Sequence, residues 1–389
     1  MWFRLIAVSL VVGVVGLVRV WPAASVMHDG IAGPGYYLWS YRHLAYSDLV
    51  AEYTVRNLYT HSLLYVHQYF EYPPGIGLIA WLTAWLPGLG GYLIGNTVVL
   101  TGALVVSTAA AAAVRGWQAV RPWMYSPLLL IYTIYNWDMV GLACYGAAVW
   151  AWSRRRWFWS GVFIGLGAGT KLFPAVLWPF FALALWRDGR RRAAGALTAG
   201  AGLGFAVLDV PVMVASFHGW EQFWVYNTVR GPDPGVWQWI SLHHWLSIGT
   251  INLITFALVA AGAVLLLVWV GRGFHPVLAA ALLLTWWLLC NKVYSPQYMI
   301  WVLYAVTIAE TWGPEVWWVN VAGILDFGLA MVWLALGTAG SPAQALMGIY
   351  VAPVVILVRD VTFGLVLRRH RWQAEWRSAL HSAPLGERT

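Results

Sequence analysis

Residues 249–270 read GTINLITFALVAAGAVLLLVWV and contain no charged side chain. A helix that spans a bilayer needs about 20 consecutive, mostly apolar residues, and this stretch provides them. The whole chain has the same character, since 61% of its 389 residues are apolar and 10% are charged. Soluble domains have about 25% charged residues. The composition therefore excludes a soluble globular protein and predicts an all-α, polytopic membrane protein.

Further apolar segments bring the expected number of transmembrane helices to about 12. Several are shorter than a regular span, and such helices suit the wall of a cavity better than a lipid-facing bundle. We find no repeat and no low-complexity linker, so we expect a single membrane domain over residues 1–389. The further segments are 5–18, 91–113, 122–136, 139–152, 157–170, 172–186, 193–215, 275–290, 297–311, 316–336 and 343–366.

Basic residues assign the sides of these spans, because cytoplasmic loops are rich in Lys and Arg. The rule predicts that both termini are cytoplasmic, with a basic tail at 367–389. We expect residues 74–86 to form a re-entrant or interfacial helix at the outer face. Counting them as another crossing would place arginine clusters on the outer side of the membrane, against the positive-inside rule. The basic residues assigned to the cytoplasm are Arg4, Arg115, Arg121, Arg154, Arg155, Arg156, Arg187, Arg190, Arg191, Arg192, Arg272, Arg359, Arg368, Arg369, Arg371, Arg377 and Arg388.

Two larger loops remain on the outer side, at residues 22–73 and 216–248, and the second is rich in aromatic residues. Carboxylates that could act as a general base lie at this side of the protein. They are Asp29, Asp48, Glu71 and Asp138. Capping of a helix is the alternative role for a loop aspartate. The residue types alone do not choose among the four.

Lysine is rare in this chain, since Lys171 and Lys292 are the two lysines among 23 basic residues. Both end a predicted span, in the similar phrases Thr170-Lys171-Leu172-Phe173-Pro174 and Asn291-Lys292-Val293-Tyr294-Ser295-Pro296. An ammonium group is a compact point charge that suits an anion such as a phosphate. The alternative is that each lysine extends to the lipid headgroups.

Several short motifs occur in a fixed order along residues 45–300, and together they resemble one enzyme class. That class is the multi-pass glycosyltransferases of fold type C, and the resemblance is greatest to the bacterial polyprenol-phosphate-mannose-dependent α-mannosyltransferases that include the phosphatidylinositol mannoside enzymes. The motifs are Ser47-Asp48-Leu49, Tyr65, Glu71-Tyr72-Pro73-Pro74-Gly75, Asn136-Trp137-Asp138, Gly165 to Pro174 and Asn291 to Tyr298.

This resemblance implies transfer of a sugar, expected to be mannose, from a polyprenyl-phosphate donor to a hydroxyl of a glycolipid or glycan. The reaction would invert the anomeric carbon at the extracytoplasmic face of the cytoplasmic membrane. A carboxylate of the first outer loop is the general base in the family, and by position it corresponds to Asp48. Relatives often carry an Asp-x-Asp pair there, whereas this chain has Ser47 before Asp48. We therefore expect no divalent metal and no other cofactor.

The remaining site residues follow from the resemblance together with the residue types. Glu71, Asp138 and Asp29 are candidates for catalytic support. Cations that could bind the donor phosphate are Lys171, Lys292, Arg230 and His244. Residues expected to contact the substrates are Tyr72, Asn136, Tyr294, Gln297, Trp237 and Trp239. Membrane lipid is the expected surrounding partner, and nucleic acid is not expected to bind.

A transporter or flippase of polyprenyl-linked sugars is the alternative function. It would use charges inside the membrane, such as Asp326 and Asp209. The charged residues instead collect at one predicted face, and no inverted repeat is evident. We therefore favour the enzyme.

Overall fold

The computed structural model describes residues 2–26, 33–310 and 312–368. Asp29 and the predicted basic tail from residue 369 onward lie outside these residues. Within them the chain is almost entirely helical and forms no β-strand. The prediction of an all-α, polytopic membrane protein is confirmed.

Twenty α-helices and three short 3₁₀-helices make up the described part of the chain. The first ten α-helices are α1 (Trp2–Val20), α2 (Ala23–Val26), α3 (Pro34–Arg42), α4 (Asp48–Val55), α5 (Pro74–Ala84), α6 (Gly88–Arg115), α7 (Trp117–Met124), α8 (Pro127–Tyr132), α9 (Asp138–Ser153) and α10 (Trp157–Lys171). The other ten are α11 (Leu177–Arg187), α12 (Arg191–Ala215), α13 (Phe217–Val229), α14 (Val236–Leu242), α15 (Ile248–Gly271), α16 (Pro276–Cys290), α17 (Met299–Ala309), α18 (Glu315–Thr338), α19 (Ala343–Tyr350) and α20 (Ala352–Arg368). The 3₁₀-helices are Leu58–Thr60, Phe173–Val176 and Pro296–Tyr298.

Six helical segments of the described chain are long and apolar enough to cross a membrane. The expected total of about 12 spans stays a prediction. The six segments are Trp2–Val26, Gly88–Arg115, Arg191–Ala215, Ile248–Gly271, Glu315–Thr338 and Ala343–Arg368. Shorter apolar helices are Pro74–Ala84, Phe173–Arg187, Pro276–Cys290 and Pro296–Ala309.

The predicted span 122–136 differs from the structure. Residues 122–136 do not form a single helix, because α7 ends at Met124 and α8 begins at Pro127. Ser126 separates them and caps α8, since its hydroxyl accepts a hydrogen bond from the amide of Leu128 at 3.2 Å. Proline fits the first position of a helix, where its missing N–H is not needed, and α8 therefore starts at Pro127.

Short helices occupy the centre of the molecule. Every residue of α17 is buried, and so is most of α16. A helix that is apolar on all sides belongs in an interior. These two helices therefore form the core, around which longer helices pack.

Helices α10 and α12 make the most extensive helix pair. Gly161 and Gly165 on α10 face Gly200 and Gly204 on α12, and a Cβ atom at each would collide with main-chain atoms of the other helix. Small residues spaced four apart let two membrane helices approach closely. This close approach places Lys171, the last residue of α10, beside the start of α9.

We expect Gly200→Leu to destabilise the protein by about 3 kcal/mol or more, because its side chain would force the two helices apart. Gly202→Leu is the matched control, since Gly202 lies on the same helix with open space around it. Thermal unfolding of the detergent-purified variants measures the effect. Equal melting temperatures for the two variants would contradict the tight crossing.

Candidate active site

Asp48 is held at the start of α4 by the chain just before α9. The main-chain N–H of Asp48 donates to the carbonyl of Tyr135 at 2.8 Å. The Ser47 hydroxyl donates to the carbonyl of Ile134 at 2.8 Å and also accepts from the amide of Leu49. Serine is a favoured N-cap because its hydroxyl satisfies a free amide of the first turn. The carboxylate of Asp48 is therefore fixed next to the turn that carries Asn136.

Asn136 connects three of the predicted site residues. Its amide NH₂ donates to Asp48 Oδ2 at 2.5 Å and to the Tyr72 hydroxyl at 3.1 Å. Its carbonyl oxygen accepts from Lys171 Nζ at 2.6 Å. Residues from the first loop, the turn before α9 and the end of α10 thus meet at one place.

Lys171 and Asp138 form an ion pair behind this contact. Lys171 Nζ lies 3.3 Å from Asp138 Oδ1 and 4.9 Å from the centre of the Tyr72 ring. The same carboxylate oxygen accepts a hydrogen bond from Trp301 Nε1 at 3.1 Å. Asp138 is fully buried. It therefore anchors Lys171 from inside the protein.

Electrostatics at Asp48 combine opposing effects. Burial raises the pKa of its carboxyl group, and the nearby charge of Asp138 acts in the same direction. Hydrogen bonds from Tyr46 and Asn136 and the charge of Lys171 lower that pKa. Burial that raises the pKa of a carboxyl group makes its carboxylate a stronger base than an ordinary surface aspartate.

Asp48 lines a cavity of about 930 Å³. Its polar lining includes Asp233, Tyr294 and Gln297, and Tyr46 and Tyr135 line it beside Asp48. The volume lies within the range of small-molecule sites, about 300–1,000 Å³. Two of the residues that the sequence assigns to substrate contact, Tyr294 and Gln297, thus share the cavity with Asp48.

Another part of the lining is a mostly apolar groove between α18 and α20. On α18 the lining positions run from Asp326 through Ala330 and Trp333 to Leu334, which is about 12 Å along the helix axis. On α20 they run from Ala352 to Asp360. The polar end of the lining on α18 meets the polar end of the lining on α20, because Arg359 lies beside Asp326. The cavity therefore extends from charged groups into an elongated apolar channel.

Arg359 corrects the sequence-based assignment, which counted it with the cytoplasmic arginines. It is 6% exposed, and it is the one Lys or Arg among the described residues that line the cavity. Its guanidinium lies 4.0 Å from the centre of the Tyr294 ring and 3.9 Å from Asp326 Oδ2, and its Nε donates to Asp360 Oδ1 at 2.9 Å. Its partners come from α18 and from the loop after α16, so it belongs to the same region as Asp48.

A second cluster holds the outer loop of residues 216–248 against the loop after α16. Arg230 donates to both carboxylate oxygens of Asp233 at 2.9 and 3.0 Å. Asp233 Oδ2 also accepts from the main-chain amide of Tyr294 at 2.9 Å. Lys292 donates to the carbonyls of Thr228 and Arg230 at 3.2 and 2.7 Å. Burial, and then the charge of Arg230, lower the pKa of Lys292.

The predicted phosphate-binding cations are thus dispersed. Lys171, Lys292, Arg230 and His244 are absent from the described residues that line the cavity. Lys171 and Lys292 are engaged with polar atoms of the protein, and His244 is exposed. The phosphate-binding role of each stays a prediction.

The two predicted tryptophans of the second loop differ in placement. Trp239 lines the cavity and packs edge-on against Trp245, with ring centres 4.6 Å apart. Trp237 donates from Nε1 to the carbonyl of Cys290 at 2.8 Å, which ties α14 to the end of α16. Trp239 is therefore the one placed to meet a ligand in the cavity.

Glu71 lies in a separate ion cluster of the first loop. Arg56 pairs with Glu71 Oε1 at 2.6 Å and with Glu52 Oε2 at 3.2 Å. Burial, and then the charge of Glu71, raise the pKa of Glu52 to about 8. Glu71 is absent from the described cavity lining.

The charges named for the transporter alternative are paired or hydrogen-bonded within the protein. Asp326 lies beside Arg359, and Asp209 accepts a hydrogen bond from Trp220 Nε1 at 2.9 Å. Each therefore has a partner on a neighbouring element.

The model of glycosyltransferase family 87 matches residues 69–291 of this chain, which is more than half of it. The chain belongs to glycosyltransferase family 87. A comparison with curated proteins gives no match. Among solved structures, the crystal structure of ArnT from Cupriavidus metallidurans in the apo state is similar to 96% of this chain and 79% of that chain, with 16% identity and a TM-score of 0.46.

Family membership confirms the sequence-based recognition of a membrane glycosyltransferase of fold type C. Asp48 and the groove helices α18 and α20 lie outside the residues that the family model matches. Arg359, Asp233 and Tyr46 were not among the site residues predicted from the sequence. A charged residue inside an apolar segment was the available signal for Arg359.

Proposed function

We propose that the protein transfers a sugar, mannose in the first instance, from a polyprenyl-phosphate donor to a hydroxyl of a glycolipid or glycan acceptor. The observation that carries the proposal is the composition of the cavity around Asp48. It joins a carboxylate fixed by Ser47 and Asn136 to an elongated apolar groove between α18 and α20. A substrate with a polar head and an isoprenoid chain combines the same two parts.

Asp48 is the general base of this proposal. An acceptor hydroxyl is a weak nucleophile at neutral pH, and a positioned carboxylate that removes its proton contributes about 10²–10⁴-fold. The hydroxyl oxygen then attacks the anomeric carbon from the side opposite the phosphate. The carbon–oxygen bond to the polyprenyl phosphate breaks, and the configuration inverts.

Direct displacement without a metal is part of the proposal. Asp48 Oδ2 faces an amide NH₂ group, which is a hydrogen-bond donor and not a metal ligand. Tyr46, the other side chain that hydrogen-bonds to Asp48, is also neutral. The surroundings of this carboxylate therefore favour an acceptor hydroxyl over a cation.

The reaction is assigned to the extracytoplasmic face of the cytoplasmic membrane, with both termini inside. Support comes from the arginine clusters at the ends of α6, α9 and α11, which the positive-inside rule places in the cytoplasm. Asn136 and Lys171 lie at the opposite ends of α9 and α10.

Purified protein in lipid vesicles tests the function with radiolabelled polyprenyl-phosphate mannose and an extract of membrane glycolipids as acceptors. We expect label in a new glycolipid or glycan, the same rate with EDTA, and a product anomer opposite to that of the donor. Polyprenyl-phosphate glucose and arabinose test the choice of sugar. Movement of the labelled donor across the vesicle membrane, with no new glycosidic bond from any donor, would instead indicate a flippase.

A further inference from the structure

Asn136 has a defined amide orientation because hydrogen-bond donors surround its oxygen. Lys171 Nζ donates to Oδ1 at 2.6 Å, and the main-chain amide of Trp137 approaches the same atom at 2.5 Å. An ammonium and an amide N–H are donors only. The opposite orientation would place the NH₂ group against both donors and the oxygen against the Asp48 carboxylate. Lys171 therefore helps to point the NH₂ group of Asn136 at Asp48.

Lys171 is itself held away from the cavity. Asp138 pairs with it at 3.3 Å, the Tyr72 ring lies beneath it, and 8% of its side chain is exposed. Asp138 is fixed in turn by Trp301 from the central helix α17. The hydrogen-bonded chain thus runs from the buried core to the cavity in the order Trp301, Asp138, Lys171, Asn136 and Asp48.

We propose that Lys171 is a positioning residue for Asp48 and acts through Asn136. The proposal rests on the proposed function, in which Asp48 is the base. Lys171 fixes the amide, and the amide orients the carboxylate of Asp48 toward the acceptor hydroxyl. The positive charge of Lys171 also favours the ionised form of the carboxylate, which is the form that can accept a proton.

Several other groups bear on the charge of Asp48. Tyr46 donates a hydrogen bond to it, and Asp138 opposes its ionisation. Tyr135 and Tyr41 line the same cavity, Tyr36 is nearby, and Glu52 lies one helical turn further along α4. Lys171 is the cation whose charge lowers the pKa of Asp48. Its removal should therefore move the protonation of Asp48 to higher pH.

The test compares Lys171→Met with the control variant Arg190→Met by the pH dependence of kcat/KM for the donor. For Lys171→Met we expect the acid limb to shift upward by about one pH unit and kcat at neutral pH to fall about tenfold. The donor KM should change less than twofold. Arg190→Met should leave the acid limb in place, because Arg190 is exposed before α12 and does not line the cavity. Lys171→Arg keeps the charge and should keep the acid limb.

The double variant Lys171→Met/Asn136→Ala gives an independent readout. Above the acid limb, where Asp48 is ionised in every variant and the charge of Lys171 no longer affects its protonation, the double variant should be no slower than Asn136→Ala alone if Lys171 acts through Asn136. If the rate losses of the two single variants multiply in the double variant, the proposal is overturned. It is also overturned if Lys171→Met raises the donor KM and leaves the acid limb in place, because that result would indicate contact with the phosphate. Failure of the proposed function would appear differently, as no transfer by the unmodified protein from any polyprenyl-phosphate sugar.

Discussion

Asp48→Asn is expected to reduce kcat for sugar transfer by about 10²–10⁴-fold. The substitution keeps the shape of the side chain, and the new amide oxygen can still accept the hydrogen bond from Asn136. What it removes is the negative charge and the basicity that withdraw the acceptor's proton. Donor affinity should change little, since the apolar groove is intact. Initial rates at saturating donor and acceptor, together with donor binding, measure the two effects separately.

Asp188→Asn is the matched control for this variant. Asp188 is an exposed carboxylate after α11, it pairs with the neighbouring Arg187, and it does not line the cavity. Its replacement should leave the rate unchanged within experimental error. Turnover by Asp48→Asn within a few-fold of the unmodified protein would contradict the assignment of the base. The remaining candidates would then be tested by Glu71→Gln, Asp138→Asn and Asp29→Asn.

The alternatives to Asp48 differ from it in their surroundings. Glu71 is held by Arg56 at 2.6 Å, and Asp138 is fully buried against Lys171 and Trp301. Neither faces the cavity that Asp48 lines. A base must reach the proton that it removes, so geometry alone favours Asp48, whatever the pKa of each carboxyl group.

Sequence motifs predicted much of this region because they mark breaks between helices. Asn136 precedes α9, Lys171 ends α10, and Tyr72 precedes α5. Helix breaks at the same end of packed helices lie close together. The sequence alone therefore predicts that the residues of these motifs are neighbours in the fold. The hydrogen-bonded contact of Asn136 with Asp48 and Lys171 agrees with that grouping.

The sequence could not predict the direction of individual side chains. Lys292 resembles Lys171 in its motif, yet its ammonium donates to two main-chain carbonyls of the second loop. Arg359 was counted with the cytoplasmic arginines, because the positive-inside rule reads only position along the chain. Its pairing with Asp326 depends on the packing of α18 against α20, which no local pattern shows.

Ala330→Trp is expected to lower kcat/KM for a long-chain donor by about 10²–10³-fold. Ala330 lines the groove on α18, and an indole there would occupy space that we assign to the isoprenoid chain. Burial of each CH₂ contributes about 0.8 kcal/mol, so displacing one five-carbon unit costs roughly 3–4 kcal/mol. Each 1.4 kcal/mol is a tenfold change. The loss should appear mainly in the donor KM, because Asp48 is unchanged.

Val321→Trp separates this effect from a general response to a large side chain. Val321 lies on the same helix, is 40% exposed, and does not line the cavity. Nine residues separate it from Ala330, which at 3.6 residues per turn places the two on opposite sides of α18.

A donor with a single isoprene unit adds a second comparison, since its chain is too short to fill the groove. The penalty of Ala330→Trp should largely disappear with it, and an equal penalty for short and long donors would show that the groove does not hold the donor chain.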